Sequence, residues 1–174
     1  MLLWPAAVTM EPFRSVRLPA GVGGRLLLHS LPGRWEPLDE FRDASERRSV
    51  STIVCLVPER EIAEKSPDYL AALRRGDLRE EVWRLPIEDY QAPEDRDAFA
   101  RLLDRAVARL RAGETVLVHC AAGIGRTGTF AAGVLVRLGL ALDEAAARVR
   151  DAGSHAENPV QAGALARISP RSEP

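Results

Sequence analysis

Short uncharged runs alternate along the chain with longer stretches in which apolar residues return every three or four positions. Phe13 to Leu18 alternates as Phe-Arg-Ser-Val-Arg-Leu, and Arg25 to Leu31 is a second apolar run. Ala20-Gly21-Val22-Gly23-Gly24 between them predicts a hairpin turn. Pro32-Gly33-Arg34 breaks the second strand, and Leu38, Phe41 and Ala44-Ser45 lie at helical spacing up to about Arg48. Ser51 to Val57 is rich in β-branched residues and uncharged, as in a central strand buried on both faces. Glu59 to Arg75 reads as helix broken near Pro67 and closed by Gly76, and Glu81 to Leu85 as a short strand. Pro86 to Pro93 is too proline-flanked for regular structure, so it is a loop leaving a strand end. Pro93-Glu94 then opens a helix whose stripe is Phe99, Leu102, Leu103, Ala106, Val107 and Leu110, stopping at Gly113. Val116-Leu117-Val118 is a buried strand. From Gly128 a helix carries Phe130, Val134 and Leu138 on one face and ends at Leu138-Gly139. Asp143 is placed to cap a helix running through Val149 to Gly153, with Ala145, Ala146 and Val149 inward. Asn158-Pro159 starts a last helix bearing Leu165 and Ile168.

This alternation predicts an α/β fold: a small, mostly parallel central sheet flanked by helices, with the N-terminal β-hairpin on one edge. A chain of 174 residues, 46% of them hydrophobic, suits one domain with a real core. That domain is expected over 13–168, between a loose arm at 1–12 and a frayed tail at 169–174. The net charge of −1 comes from interleaved acids and bases, which excludes a basic nucleic-acid surface and a polybasic membrane patch. The first eight residues are apolar but lack a basic leader, Met10 is an alternative start, and no run reaches the length of a membrane helix. A cytoplasmic protein is expected. Cys55 and Cys120 have no metal-like spacing, and His29 and His155 are isolated, so neither a metal nor a cofactor is expected. Cys55 reads as a small buried core side chain.

The chemistry concentrates between that last strand and its helix, in His119-Cys120-Ala121-Ala122-Gly123-Ile124-Gly125-Arg126-Thr127-Gly128. Gly123 and Gly125 can take positive φ and let the backbone curl, so that successive N–H groups point inward. Such a nest on a helix N-terminus favours anions, and it favours the thiolate of a cysteine at its centre. Cys120 is thereby a nucleophile aimed at phosphorus, and the planar fork of Arg126 can grip two phosphoryl oxygens. Gly123 to Gly128 also spells G-x-G-x-x-G, but no second strand follows at 139–152 to complete a dinucleotide-binding unit. No lysine precedes Thr127 or Thr129, which excludes a nucleotide P-loop.

The stretch resembles the signature loop of the cysteine-dependent protein tyrosine phosphatases, His-Cys-x-x-Gly-x-x-Arg followed by Ser or Thr. The resemblance implies a phosphate cradle of Ala121, Ala122, Gly123, Ile124, Gly125 and Arg126, with Cys120 as nucleophile. It implies that Thr127 donates to the Cys120 sulfur, that His119 braces the loop and tunes the thiol, and that Gln161 can position a water. A thiolate cannot protonate the leaving oxygen, so a general acid is needed. In related phosphatases it is an aspartate on a loop upstream of the cysteine. Pro86-Ile87-Glu88-Asp89 resembles that loop in dual-specificity relatives of the cyclin-dependent-kinase-associated type, which makes Asp89 the candidate. Glu88, Asp95 and Asp97 are rivals, although the last two also suit a helix's first turn. Family members acting on inositol lipids tend to carry lysines in the loop, whereas Ala121, Ala122 and Ile124 are neutral. The expected partner is therefore a phosphorylated protein or peptide, with phosphotyrosine favoured and phosphoserine and phosphothreonine open. The alternatives are an inositol phosphate or other small phosphorylated metabolite as substrate, or a non-catalytic phospho-binding module.

Overall fold

Five strands form one sheet in the order β1-β2-β5-β3-β4, in a computed structural model that describes residues 12–170. In chain order the elements are β1 (Arg14–Val16), β2 (Arg25–His29), α1 (Leu38–Arg47), β3 (Val50–Cys55), α2 (Glu59–Lys65), α3 (Pro67–Arg75), β4 (Glu81–Arg84), α4 (Arg96–Arg111), β5 (Thr115–His119), α5 (Gly125–Arg137), α6 (Leu142–Asp151) and α7 (Pro159–Leu165). β1 pairs antiparallel with β2 at the edge, as the hairpin predicts, and the other pairings are all parallel. The expected arm at 1–12 lies outside the described residues except for Pro12, as does the tail beyond Pro170.

The central strands have no polar face because helices cover both sides of the sheet. Leu27, Ile53 and Leu117 point to the side packed by Phe13, Phe41 and Ala44. Leu26, Leu28, Val54, Val116 and Val118 point to the other, where Phe99 and Leu103 of α4 meet Phe130 and Val134 of α5. Period-two alternation therefore feeds two cores instead of one core and solvent. The rings of Phe99 and Phe130 pack edge to face with centroids 5.9 Å apart. Among the described residues no helix is long and apolar enough to cross a membrane.

Several element ends differ from expectation, each for a local reason. α4 begins at Arg96, not at Pro93-Glu94, because the Asp95 carboxylate caps it by accepting from the Ala98 amide at 2.8 Å. α5 begins at Gly125, three residues earlier than its apolar stripe suggests, so the signature loop runs straight into the helix. Asp143 is inside the first turn of α6 and does not cap it; the N-cap is Ala141. Ile168 lies beyond α7 and still packs on the core. The break near Pro67 is confirmed: Ser66 separates α2 from α3 and its hydroxyl donates to Pro32 O at 2.7 Å. Because β2, β5, β3 and β4 run the same way, the segments after their carboxyl ends gather at one rim of the sheet. Cys120, Arg34, Ile87 and Asp89 meet there.

Candidate active site

The loop after β5 is held by donors that draw its carbonyls outward. Cys120 O accepts from His119 Nδ1 at 3.2 Å. Ala121 O accepts from Arg34 Nη1 at 2.9 Å and from the Leu31 amide at 3.2 Å. Gly123 O accepts from Arg14 Nη2 and from Ser154 Oγ, each at 2.6 Å. Ile124 O accepts from the Gly128 amide at 2.8 Å and the His155 amide at 3.3 Å. In a planar trans peptide the carbonyl of one residue and the N–H of the next point opposite ways, and no peptide here is cis. Fixing those four carbonyls therefore turns the N–H groups of Ala121, Ala122, Ile124 and Gly125 to the concave side. The Cys120 sulfur lies on that side, accepting from the Gly123 amide at 3.2 Å. Among the described residues the four amides have no acceptor, as expected where a helix begins.

Of the two loop glycines only Gly123 needs positive φ, at 75°, and a Cβ there would sit 2.5 Å from His29 O. Gly125 opens the helix, and its reason for being glycine is proximity. A Cβ would come within 2.0 Å of Glu157 Oε2 and 2.9 Å of Gln161 Oε1. Gln161, the residue expected to position a water, is fully buried against the loop. Its Oε1 accepts from the Glu157 amide at 2.7 Å, and its Nε2 is buried without a partner.

Arg126 is 3% exposed and its fork is aimed by a residue that no sequence signal had marked. Glu61 of α2 takes it bidentately, Oε2 at 2.9 Å from Nη1 and Oε1 at 3.1 Å from Nη2, while Ile87 O accepts from Nη1 at 2.9 Å. Asp89 Oδ1 sits 3.2 Å from Nη2, and Nε is buried with no partner. Burial opposes ionisation of Glu61, yet the hydrogen bonds and charges of Arg126 and Lys65 outweigh it and draw its pKa down to about 2. Arg126 is the mirror case: burial disfavours its charge, and Glu61, Cys120 and Asp89 more than restore it. Among the rival acids, Glu88 turns to Arg60 and Asp95 is occupied as a cap. Asp97 stands in the first turn of α4, and only Asp89 reaches Arg126. The Thr127 hydroxyl is buried and hydrogen-bonded to nothing, so the expected bond to the Cys120 sulfur is not made in this structure.

His119 is wholly buried, and burial pushes its pKa down to about 3. A carbonyl can only accept, so Nδ1 carries the proton toward Cys120 O and Nε2 accepts from Tyr69 Oη at 3.0 Å. His119 is thus a neutral spacer between a buried tyrosine and the loop. Cys55 is buried as expected, its thiol pushed up to about 11 chiefly by burial, and it forms no disulfide. His29 is buried too, between Phe13 and Phe41, with Nε2 3.0 Å from Glu36. His155 presents its backbone amide to the loop.

Arg14 ties this site to the rest of the fold. From edge strand β1 it reaches Gly123 O, and on its other nitrogen Ala152 O at 3.1 Å, Gly153 O at 2.7 Å and Ser154 Oγ at 3.0 Å. Burial lowers the pKa of this guanidinium, and the charge at Cys120 opposes the shift. The motif carries no trace of Arg14, Arg34, Glu61, Tyr69 or Ser154. The one available signal was an arginine at an inward-alternating position of β1, where a charge needs a partner.

A family model described as "PTP-SAK: Swiss Army Knife protein, DSP-PTPase phosphatase domain" matches residues 24–171. Among solved structures, Tk-PTP in its active form is 28% identical with a TM-score of 0.67, over 95% of this chain and 97% of that one. Kinase associated phosphatase (KAP), solved with its catalytic-site cysteine replaced by serine, gives a TM-score of 0.75 at 19% identity, over 88% and 90% of the two chains. PTPMT1 in complex with PI(5)P gives 0.65 at 20% identity, over 82% and 88%.

Two outcomes follow from this geometry. Arg14→Lys keeps the charge but cannot span four acceptors, so orthovanadate should bind at least about tenfold more weakly. Unchanged vanadate affinity would remove Arg14 as a positioning residue. His119 takes up no proton until about pH 3 when folded, whereas the unfolded chain takes one below 6.5. Its contribution to stability is then complete above pH 6.5 and declines as pH falls, by roughly 1.4 kcal/mol per unit. Urea unfolding of wild type and His119→Gln between pH 7 and 5 should show the steeper decline in wild type, by about 2 kcal/mol over that interval; equal declines would contradict it.

Proposed function

The chain belongs to the cysteine-dependent protein tyrosine phosphatase superfamily, as a DSP-PTPase phosphatase domain, and on that premise we propose that it hydrolyses phosphotyrosine in proteins. Phosphoserine and phosphothreonine are secondary substrates in this reading. The observation that carries it is the set of outward-drawn carbonyls at Cys120, Ala121, Gly123 and Ile124, which leaves amides facing one sulfur. Donors so arranged suit a group with three equatorial oxygens and no positive charge of its own.

In this mechanism the Cys120 thiolate attacks phosphorus, the S–P bond forms and the ester P–O bond breaks. The proton of the Asp89 carboxyl passes to the departing phenolate oxygen. A water then attacks the phosphocysteine, gives its proton to Asp89 and releases inorganic phosphate and the thiolate. Arg126 supports both transition states through Nε, which has no protein partner, and through Nη2, which Glu61 shares with Asp89. An arriving phosphoryl oxygen would compete with Asp89 for Nη2, and the displaced carboxyl is then free to serve the leaving group. Gln161 would hold the hydrolytic water in this reading, which its closeness to Gly125 and its unpartnered Nε2 support. Thr127 would take up its bond to sulfur only as the thiolate leaves phosphorus.

The neutral side chains of Ala121, Ala122 and Ile124 favour a singly phosphorylated protein over a multiply charged inositol phosphate. Turnover of p-nitrophenyl phosphate, phosphopeptides and inositol phosphates tests the assignment. Cys120→Ser should be inactive while still binding phosphotyrosine peptide, and Asp89→Ala should lose about 10²- to 10⁴-fold in kcat on the peptide. Near-normal turnover by Asp89→Ala would remove it as the acid, and a preference for inositol phosphates would overturn the substrate class.

A further inference from the structure

Beside the loop that carries Asp89, α4 and α7 enclose a cavity of about 530 Å³ that the reaction does not use. Its apolar surface comes from Phe99 and Leu103 on one side and Ile168 on the other. Three arginines, Arg96, Arg137 and Arg167, also line it, and among the described residues no carboxylate does. Arg137 is partly answered by Asp104, 3.6 Å from its Nε, and donates to Ser169 O at 3.1 Å. Its Nε is buried and makes no hydrogen bond. Arg96 and Arg167 have no side-chain hydrogen bond or ion pair to any described residue, while nearby Asp95 is committed to capping α4. A volume of this size with an apolar wall and surplus guanidinium suits an apolar group that carries an anion.

The position of the cavity says where such a group comes from. Ala92 and Pro93 form part of its wall, and Ala92 is three residues from Asp89, at most about 11 Å of extended chain. Asn158 at the head of α7 donates to Tyr90 O at 2.7 Å, fastening that loop to the helix that makes the other wall. Tyr90 and Val160 are 57% and 51% exposed, so the apolar rim continues outward from the cavity along the loop and α7. A peptide whose phosphotyrosine sits over Cys120 can therefore lay a residue a few positions away into this cavity.

Building on the phosphoprotein reading above, we propose that the cavity between α4 and α7 is a substrate-recognition site for an acidic residue adjoining an aromatic or aliphatic one. The apolar side chain fills the space against Phe99, Leu103 and Ile168, and the carboxylate meets Arg96 and Arg167. The site acts on affinity and leaves the chemistry at Cys120 alone.

The test uses phosphotyrosine peptides carrying a Glu-Phe pair two to six residues to either side of the phosphotyrosine, against Ser-Ser controls. The wild-type chain should show a KM roughly tenfold lower for at least one Glu-Phe register with kcat unchanged, a difference of about 1.4 kcal/mol. The double variant Arg96→Glu, Arg167→Glu should lose that preference while turning over p-nitrophenyl phosphate normally. The same peptides, fluorescently labelled, are also titrated against Cys120→Ser protein by anisotropy. Absence of all turnover would thus strike the phosphatase reading, while the binding data still decide this one. Equal KM and Kd for Glu-Phe and Ser-Ser peptides in every register would overturn the proposal, and so would a preference that survives the double variant. Arginine-dependent co-sedimentation with phosphatidylserine vesicles, without any peptide preference, would assign the cavity to a membrane surface instead. A preference that emerges only after removal of residues 171–174 would assign it to the chain's own tail.

Discussion

Everything at this site depends on which way a few carbonyls point. A backbone carrying four carbonyl oxygens toward an anion would repel it, and the same backbone turned over presents four N–H groups. The choice is made largely outside the loop, by Arg14 and Ser154 on Gly123 O, Arg34 and Leu31 on Ala121 O and His155 on Ile124 O, with His119 on Cys120 O and Gly128 on Ile124 O adding local bonds. Two of these donors, His119 and Gly128, are local, but Arg14, Leu31 and Arg34, and Ser154 and His155 come from three segments remote in the chain, so the cradle exists only when the domain is folded around it. A buried carbonyl left without its donor costs about 1–3 kcal/mol, which makes the outward orientation a property of the whole sheet and its connections.

A second constraint is charge. Arg126 is buried at the centre of the rim, where an unpaired guanidinium would be costly, and Glu61 resolves this with two parallel bonds. The pairing also fixes orientation: Nη1 is consumed by Glu61 and Ile87 O, Nη2 is shared by Glu61 and Asp89, and Nε is left without a partner. Arg14 plays the complementary part behind the loop, close enough to Cys120 for their charges to interact. Neutral His119 fits this pattern, since a further cation there would be buried between Tyr69 and the β5 backbone with nothing to balance it.

The sequence displayed the sheet and the reactive loop clearly because both are written in local pattern. The run Val116 to Val118, the curl at Gly123 and the helix stripe of Phe130 and Val134 lie within a few residues of one another, and each has its own period or turn residue. The helix ends were less legible: Asp143, expected to cap α6, lies inside its first turn, whereas Asp95, expected inside a first turn, is the cap of α4. The supporting cast was not legible at all. Arg14 and Gly123 are 109 residues apart in the chain, and Glu61 and Arg126 are 65 apart, so nothing in either neighbourhood announces the other. The burial of Gln161 was likewise not legible, because only the approach of α7 to Gly125 brings it about.

The most direct test of this account is a crystal structure of the protein soaked with orthovanadate. The account predicts vanadium bonded to the Cys120 sulfur, with the amide nitrogens of Ala121, Ala122, Ile124 and Gly125 about 2.7–3.2 Å from its oxygens and the four outward carbonyls still held by their donors. Vanadate bound elsewhere, or a loop whose carbonyls at Ala121 and Gly123 have turned inward while Arg34 and Arg14 point to solvent, would contradict it.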